Sequence, residues 1–145
     1  MAAARQYCTF YVDGQCFGLD VLRVQEIIRY QEMTRVPLAA PAVRGLINLR
    51  GQIVTAIDLR RRLEMTERPA EQLPLNVVVQ TEDGAVILLV DEIGDVLEVP
   101  EELYESPPDT LRGTARALIR GAYKLDDRLM LLLDVDKALQ VDSEE

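Results

Sequence analysis

Val43–Leu59 reads VRGLINLRGQIVTAIDL, two short apolar, β-rich runs meeting at Arg50-Gly51. Val43, Leu46, Ile47 and Leu49 lead in; Ile53, Val54, Ala56 and Ile57 lead out. This pattern predicts a hairpin, with Gly51 supplying the positive φ that a tight turn demands. Asp58 then stands where a helix N-cap belongs, ahead of a short helix over Leu59–Met65 with Arg60, Arg61 and Arg62 mostly outward. Arg50, carried on the tip beside Asn48, is read as a rigidly presented polar residue. It is a candidate for recognition as well as for simple solvation.

The chain around this hairpin has 145 residues, 48% of them hydrophobic, and mean hydropathy near zero, the profile of one globular domain. Its longest apolar run, Ala85–Val90, is far short of the ~20 residues of a membrane helix. The opening MAAARQY lacks the apolar core of a secretory signal, so a cytoplasmic location is expected. With no histidine, the commonest general base and transition-metal ligand is missing. No catalytic residue, metal or cofactor is expected.

Cys8 and Cys16 fall on the two arms of a hairpin predicted around Asp13-Gly14. In a two-residue-turn register Tyr11 faces Cys16 and Cys8 faces Leu19, so both thiols are read as small buried hydrophobes rather than a disulfide. Charge is split: residues 1–70 carry ten Arg and seven Asp/Glu (+3), residues 71–145 six Lys/Arg and eighteen Asp/Glu (−12), together −9. Such an acidic chain is a poor match for nucleic acid. The polarity suits either orientation toward protein partners or plain solubilisation of the second half.

Taken in order, Tyr7–Leu19 alternates about its Asp-Gly turn with Cys8, Phe10 and Val12 on one face, and Asp20 caps a short amphipathic helix over Val21–Ile28 that returns to strand by Ile27–Tyr30. Thr34–Pro41 is a loop. Thr66–Pro74, with two prolines and no periodicity, reads as a linker. Leu75–Thr81 and Ala85–Val90 form a second Asp-Gly hairpin around Asp83-Gly84. Asp91 is read as a further cap before Ile93, Val96, Leu97 and Val99. A proline-bearing loop leads to strands over Leu118–Tyr123 and Arg128–Leu133, a capped helix from Asp134 to Leu139, and a frayed tail, VDSEE.

These features repeat. Asp13-Gly14 matches Asp83-Gly84, Leu19-Asp20 matches Val90-Asp91, Arg44-Gly45 matches Arg120-Gly121, and Ile57-Asp58 matches Leu133-Asp134. Each half is therefore hairpin, capped turn, loop, hairpin, capped helix. Short strands in such units close into small barrels because closure removes unpaired edges. Two barrels in one short chain must share an apolar seam. The division is one domain over 1–145, with subdomain 1 at about 7–65, a linker at about 66–74 and subdomain 2 at about 75–140.

Three runs, LDVLRVQEIIR (Leu19–Arg29), VRGLINLRGQIVTAIDLRRRL (Val43–Leu63) and VDEIGDVLEV (Val90–Val99), resemble the CheW family of chemotaxis coupling proteins. The resemblance covers about Gln6–Leu139. It implies a mainly β fold of two intertwined five-stranded Src-homology-3-like barrels with short helices. It also implies a non-enzymatic adaptor whose partners are methyl-accepting chemoreceptors and the regulatory domain of the histidine kinase CheA, held at receptor arrays without membrane insertion. Residue by residue, it places Val24, Glu26, Gly45, Asn48 and Arg50 at the receptor-facing groove between the barrels, with the kinase at the barrel ends. Ile87, where many relatives carry glycine, is expected to narrow that groove.

Physically, Val24 suits either core or partial exposure. Glu26 and Arg50 suit a mutual surface ion pair or a partner groove, the latter preferred given the resemblance. Gly45 is read as a bulge or a close backbone approach, and Arg60–Arg62 as a solvated helix face. Three rival readings remain: coupling in a non-chemotactic array controlling pili or a second messenger, a detached regulatory fragment of the kinase, and acid catalysis at Asp58 or Asp134. The last is disfavoured because a capping carboxylate is a poor base.

Overall fold

The structure is a computed structural model and describes residues 4–140. The expected fraying of VDSEE and the first three residues of the opening segment lie outside the described residues. β1 (Ala4–Val12) and β2 (Gln15–Asp20) form the first hairpin, paired Tyr11 to Cys16 and Cys8 to Leu19 as its turn length dictates. β3 (Val24–Ile28) follows, then β4 (Val43–Leu49) and β5 (Gln52–Asp58) around Arg50-Gly51, then helix α1 (Leu59–Arg62). β6 (Leu75–Thr81) and β7 (Gly84–Val90) form the third hairpin. The remaining elements are β8 (Glu92–Pro100), β9 (Tyr104–Glu105), α2 (Gly113–Leu118), β10 (Ile119–Lys124), β11 (Leu129–Leu133) and α3 (Val135–Ala138).

The strands make one five-stranded sheet, ordered β3-β6-β7-β5-β4, and one six-stranded sheet, ordered β8-β1-β2-β11-β10-β9. Each sheet draws on both halves of the sequence. β1 and β2 join β8–β11, whereas β6 and β7 join β3–β5, and the two parallel ladders, β2 with β11 and β5 with β7, are the joins.

In both sheets the chain itself brings the two ends together. β8 and β9, the two ends of the larger sheet, are consecutive in the chain, separated by a single 3₁₀ turn, Glu101–Leu103. In the smaller sheet the chain leaving β3 comes round to β4: Thr34 N donates to Leu46 O at 2.9 Å and Leu46 N to Thr34 O at 2.8 Å.

A seam common to both barrels packs Phe10, Val12, Phe17 and Leu19 against Val77, Val79, Leu88 and Val90, with Leu131 and Leu133 beside them. Each barrel also has its own interior: Tyr7, Cys16, Tyr123, Met130 and Leu132 in one, Ile47, Val54, Ala56, Val78, Ile87 and Leu89 in the other. β7 and β11 are therefore covered on both faces, which is why AVILLV and LMLLL are unbroken apolar runs rather than alternating ones.

Several expectations are corrected. The helix after Asp20 is one 3₁₀ turn, Val21–Arg23, although Asp20 does accept from Leu22 N. From Val24 on, β-branched residues and a free edge on β6 favour strand. Asp91 caps no helix, because Glu92–Pro100 is strand paired with β1. α1 ends at Arg62 rather than Met65, and α2 is a helix that the proline-bearing loop reading missed.

Candidate functional site

Asp58 behaves as the sequence predicts, accepting from Arg60 N at 3.0 Å, but Arg60 turns inward. Its side chain is only 8% exposed and reaches Asp91 through Nη2 at 2.6 Å and through Nε at 3.1 Å. Arg68, in the segment read as a linker, is 3% exposed and lies between the two acids. It donates to Asp91 at 2.9 Å and to Asp58 at 3.3 Å. Arg44 adds a bond to Asp58 at 3.0 Å, and Asp13 N one to Asp91 at 2.7 Å. This buried network ties the β1–β2 turn, β4, α1, residues 66–74 and the β7–β8 junction together.

Burial pushes the Asp91 carboxyl up, but Arg60, the Asp13 amide and Arg68 outweigh it and hold the group below its ordinary value. Every oxygen of the two carboxylates accepts from an arginine side chain or a backbone amide. Sequence reasoning missed the network because three arginines in a row read as a polar face. The available signal was the bare acid at Asp91, with no helix after it. Among the described residues no group of three or more acidic or cysteine side chains is placed to hold a metal ion.

The second polar centre lies at the β4–β5 tip. Arg50 and Gly51 take φ of +52° and +87°, the mirror-image turn that suits hairpin twist. Asn48 Oδ1 accepts from Gly51 N at 2.9 Å and pins the turn. From it Arg50 reaches across to β3 and grips Glu26 with both terminal nitrogens, one at 2.5 Å to Oε1 and the other to Oε2. The guanidinium holds the Glu26 carboxyl below its usual value, and Glu26 raises the Arg50 pKa in turn. Arg50 remains 68% exposed against 23% for Glu26, so the arginine keeps a free face. Ile53, paired with Asn48 across the hairpin, adds a 63% exposed apolar side chain that sequence reasoning did not single out.

The structure thus brings together Glu26, Asn48 and Arg50. Val24 opens β3 two residues before Glu26 and is half-buried against the common seam. Gly45 stands at the other end of β4, in a bulge where a Cβ would come within 2.6 Å of the Thr34 carbonyl oxygen. Ile87 is fully buried inside the five-stranded barrel and does not narrow any groove. Of the three arginines read as a solvated face, Arg61 and Arg62 keep that place in part; Arg62 donates to the last turn of α3.

Comparison with known proteins gives one consistent result. The family model described as the CheW-like domain matches residues 6–143. The chemotaxis protein CheW of Bacillus subtilis strain 168 is 32% identical over 136 residues, covering 94% of this chain and 87% of that protein. The chemotaxis protein CheW of Treponema pallidum strain Nichols is 29% identical over 136 residues, covering 91% of this chain and 80% of that one. The crystal structure of the scaffolding protein TtCheW from Thermoanaerobacter tengcongensis superposes with a TM-score of 0.86 at 25% identity, over 97% of this chain and 96% of that one.

Proposed function

Because the chain belongs to the CheW family, adaptors and scaffolds of chemotaxis rather than enzymes, we propose that it couples methyl-accepting chemoreceptors to the histidine kinase CheA. In this reading a receptor's helical tip docks along the five-stranded barrel, in the groove beside its neighbour. Arg50 contacts the tip with its exposed face, Glu26 holds the guanidinium in place, and Asn48 fixes the turn. Val24 contributes apolar contact where β3 meets the seam, and Gly45 lets the closing segment approach. The kinase regulatory domain binds a separate surface at a barrel end. The protein works in the cytoplasm, held at receptor arrays through its partners. The sequence units 7–65 and 75–140 are duplicated halves that have exchanged their first hairpins.

One observation carries the reading: an arginine on a pinned turn, gripped from one side and open on the other. A groove with an apolar floor and a polar rim is how a helix is taken up, and weak contacts suffice where an array multiplies them. Among the described residues no helix is long and apolar enough to cross a membrane. The test is bridging: the full chain is mixed with a receptor signalling fragment on beads and a soluble CheA-type kinase. Retention of kinase only when the chain is present supports coupling; kinase retention no higher with the chain than without it contradicts it.

A further inference from the structure

Among the described residues the buried polar side chains are Thr9, Asp58, Arg60, Arg68 and Asn76. Asp58, Arg60 and Arg68 are paired in the ion network, and Thr9 Oγ1 donates to Asp95 O at 2.6 Å. Asn76 is different. It stands on β6 at 0% exposure, paired with Ile28 of β3 on one side and Leu89 of β7 on the other. Directly paired residues share a sheet face, so its amide points, with Leu89 and Val78, toward the apolar interior of the five-stranded barrel. Nδ2 donates to Arg29 O at 2.9 Å, while Oδ1 has no partner among the described residues. A half-satisfied amide in such a place costs stability that an aliphatic side chain would keep. Its use lies in what it holds.

What it holds is the end of β3. This strand carries Glu26 and lies at the margin of its sheet, hydrogen-bonded to β6 alone. Its ladder is short and irregular: Val24 faces Val79, Glu26 faces Val78, and Gln25 between them is a bulge with no opposite number. Pairing stops at Ile28, opposite Asn76, and there the Asn76 amide extends the ladder by one backbone group, the Arg29 carbonyl. At the other end Arg23 Nε donates to Gln80 O at 3.2 Å. Glu26 sits between these two side-chain ties, beside the bulge. Its two oxygens must meet both terminal nitrogens of Arg50, which arrives from a different hairpin. A short edge strand with few backbone bonds opens readily, and any drift of β3 separates the pair.

We propose that Asn76 is a positioning residue for the Glu26–Arg50 site: it fixes the exit of β3, so that the carboxylate is held in advance where it presents the guanidinium to a partner. The assignment rests on the adaptor reading above. In it, stability is given up for geometry at a binding site.

The test uses the full chain with Asn76→Leu, whose side chain has nearly the shape of the amide, and with Asn76→Val, β-branched like its neighbours on the strand. Each is expected to melt at or above the wild-type temperature, because Arg29 is exposed and its carbonyl has water to bond instead. Each is expected to bind a receptor signalling fragment roughly fivefold more weakly, the cost of ordering a side chain no longer held in advance. In carboxyl-carbon NMR titration of the free variants, Glu26 is expected to move up toward its ordinary value. In an Arg50→Ala background the same substitutions are expected to weaken binding no further, since the pair they position is already gone. Wild-type affinity or an unmoved Glu26 titration would overturn the assignment and leave the adaptor reading standing. So would a lower melting temperature in both variants, or a loss that repeats in full in Arg50→Ala, either of which would make Asn76 a structural residue of the barrel. A wild-type chain that binds no receptor fragment would overturn the adaptor reading, and the assignment with it.

Discussion

Gly45 and Gly121 hold the same post in the two barrels. Each sits just after a register shift in its hairpin, at the point where the segment that closes the barrel comes closest. A Cβ on Gly45 would meet the backbone carbonyl of Thr34, and one on Gly121 would meet the ring of Tyr104. The Arg-Gly repeat in the sequence is therefore a record of how each sheet closes.

The two glycines should nonetheless respond differently to alanine. The Thr34 carbonyl belongs to a hydrogen-bonded backbone bridge and cannot move without breaking it, whereas Tyr104 is a 46% exposed side chain that can shift at the cost of its bond to Arg120 O and its edge contact with Tyr123. Gly45→Ala is expected to cost about 1–3 kcal/mol, the usual penalty of forced overpacking, and Gly121→Ala clearly less. Chemical denaturation of the two variants checks the order.

The buried ion network should be expensive to break. Asp91→Ala strands Arg60 and Arg68 in a site from which water is largely excluded, and loss of about 3–5 kcal/mol is expected. The repeat provides the control. Asp136 on α3 occupies the place of Arg60 on α1, and it pairs at 2.8 Å with Arg23, just after the first hairpin, as Arg60 pairs with Asp91 after the third. That pair is largely solvated, with Asp136 67% exposed, so Asp136→Ala is expected to cost under ~1 kcal/mol. Equal losses in urea titrations of the two variants would contradict this account of burial.

Acid sensitivity follows from the same site. The Asp91 carboxyl is held below its ordinary value when folded, so it binds its proton more readily in the unfolded chain. Its stabilisation is complete above the unfolded pKa of ~3.9 and is lost as pH falls through the lower folded value. Wild-type stability should therefore drop more steeply below about pH 4 than that of Asp91→Asn, which has no such proton to take up. Melting curves collected down this range read the difference directly.

At the β4–β5 tip, Glu26 reports on its partner. Arg50→Ala should let the Glu26 carboxyl return upward toward its ordinary value, and Asn48→Ala, which frees the turn, should do so in part. Carboxyl-carbon NMR titration measures both. An unmoved Glu26 in Arg50→Ala would mean that the ion pair is not populated in solution.

Much of this fold is legible in the sequence. Asp-Gly and Arg-Gly turns fix the hairpin registers, as the pairing of Tyr11 with Cys16 illustrates, and capping aspartates mark Asp20, Asp58 and Asp134. Local signals could not show which hairpin joins which barrel. The exchange of β1–β2 and β6–β7 between sheets is settled by parallel ladders between residues far apart in the chain. Val24–Ile28 was ambiguous for a related reason: five residues suit helix or strand until an edge of β6 is offered. The geometry of the candidate site was half legible. Arg50 and Glu26 stand out as polar residues on β-rich runs, and the family resemblance singles them out. The inward turn of Arg60 and the burial of Arg68 depend on Asp91, which arrives from the other half of the chain.

The central claim, that this duplicated pair of closed barrels works by gripping other proteins at Glu26 and Arg50, is tested most directly by calorimetric titration of a receptor signalling fragment into wild-type protein and Arg50→Ala. The account predicts measurable binding by the wild type and a loss of about tenfold or more in the variant, at an unchanged melting temperature because Arg50 is mostly solvated. Equal affinity in the two proteins, or a variant that fails only because it no longer folds, would contradict it.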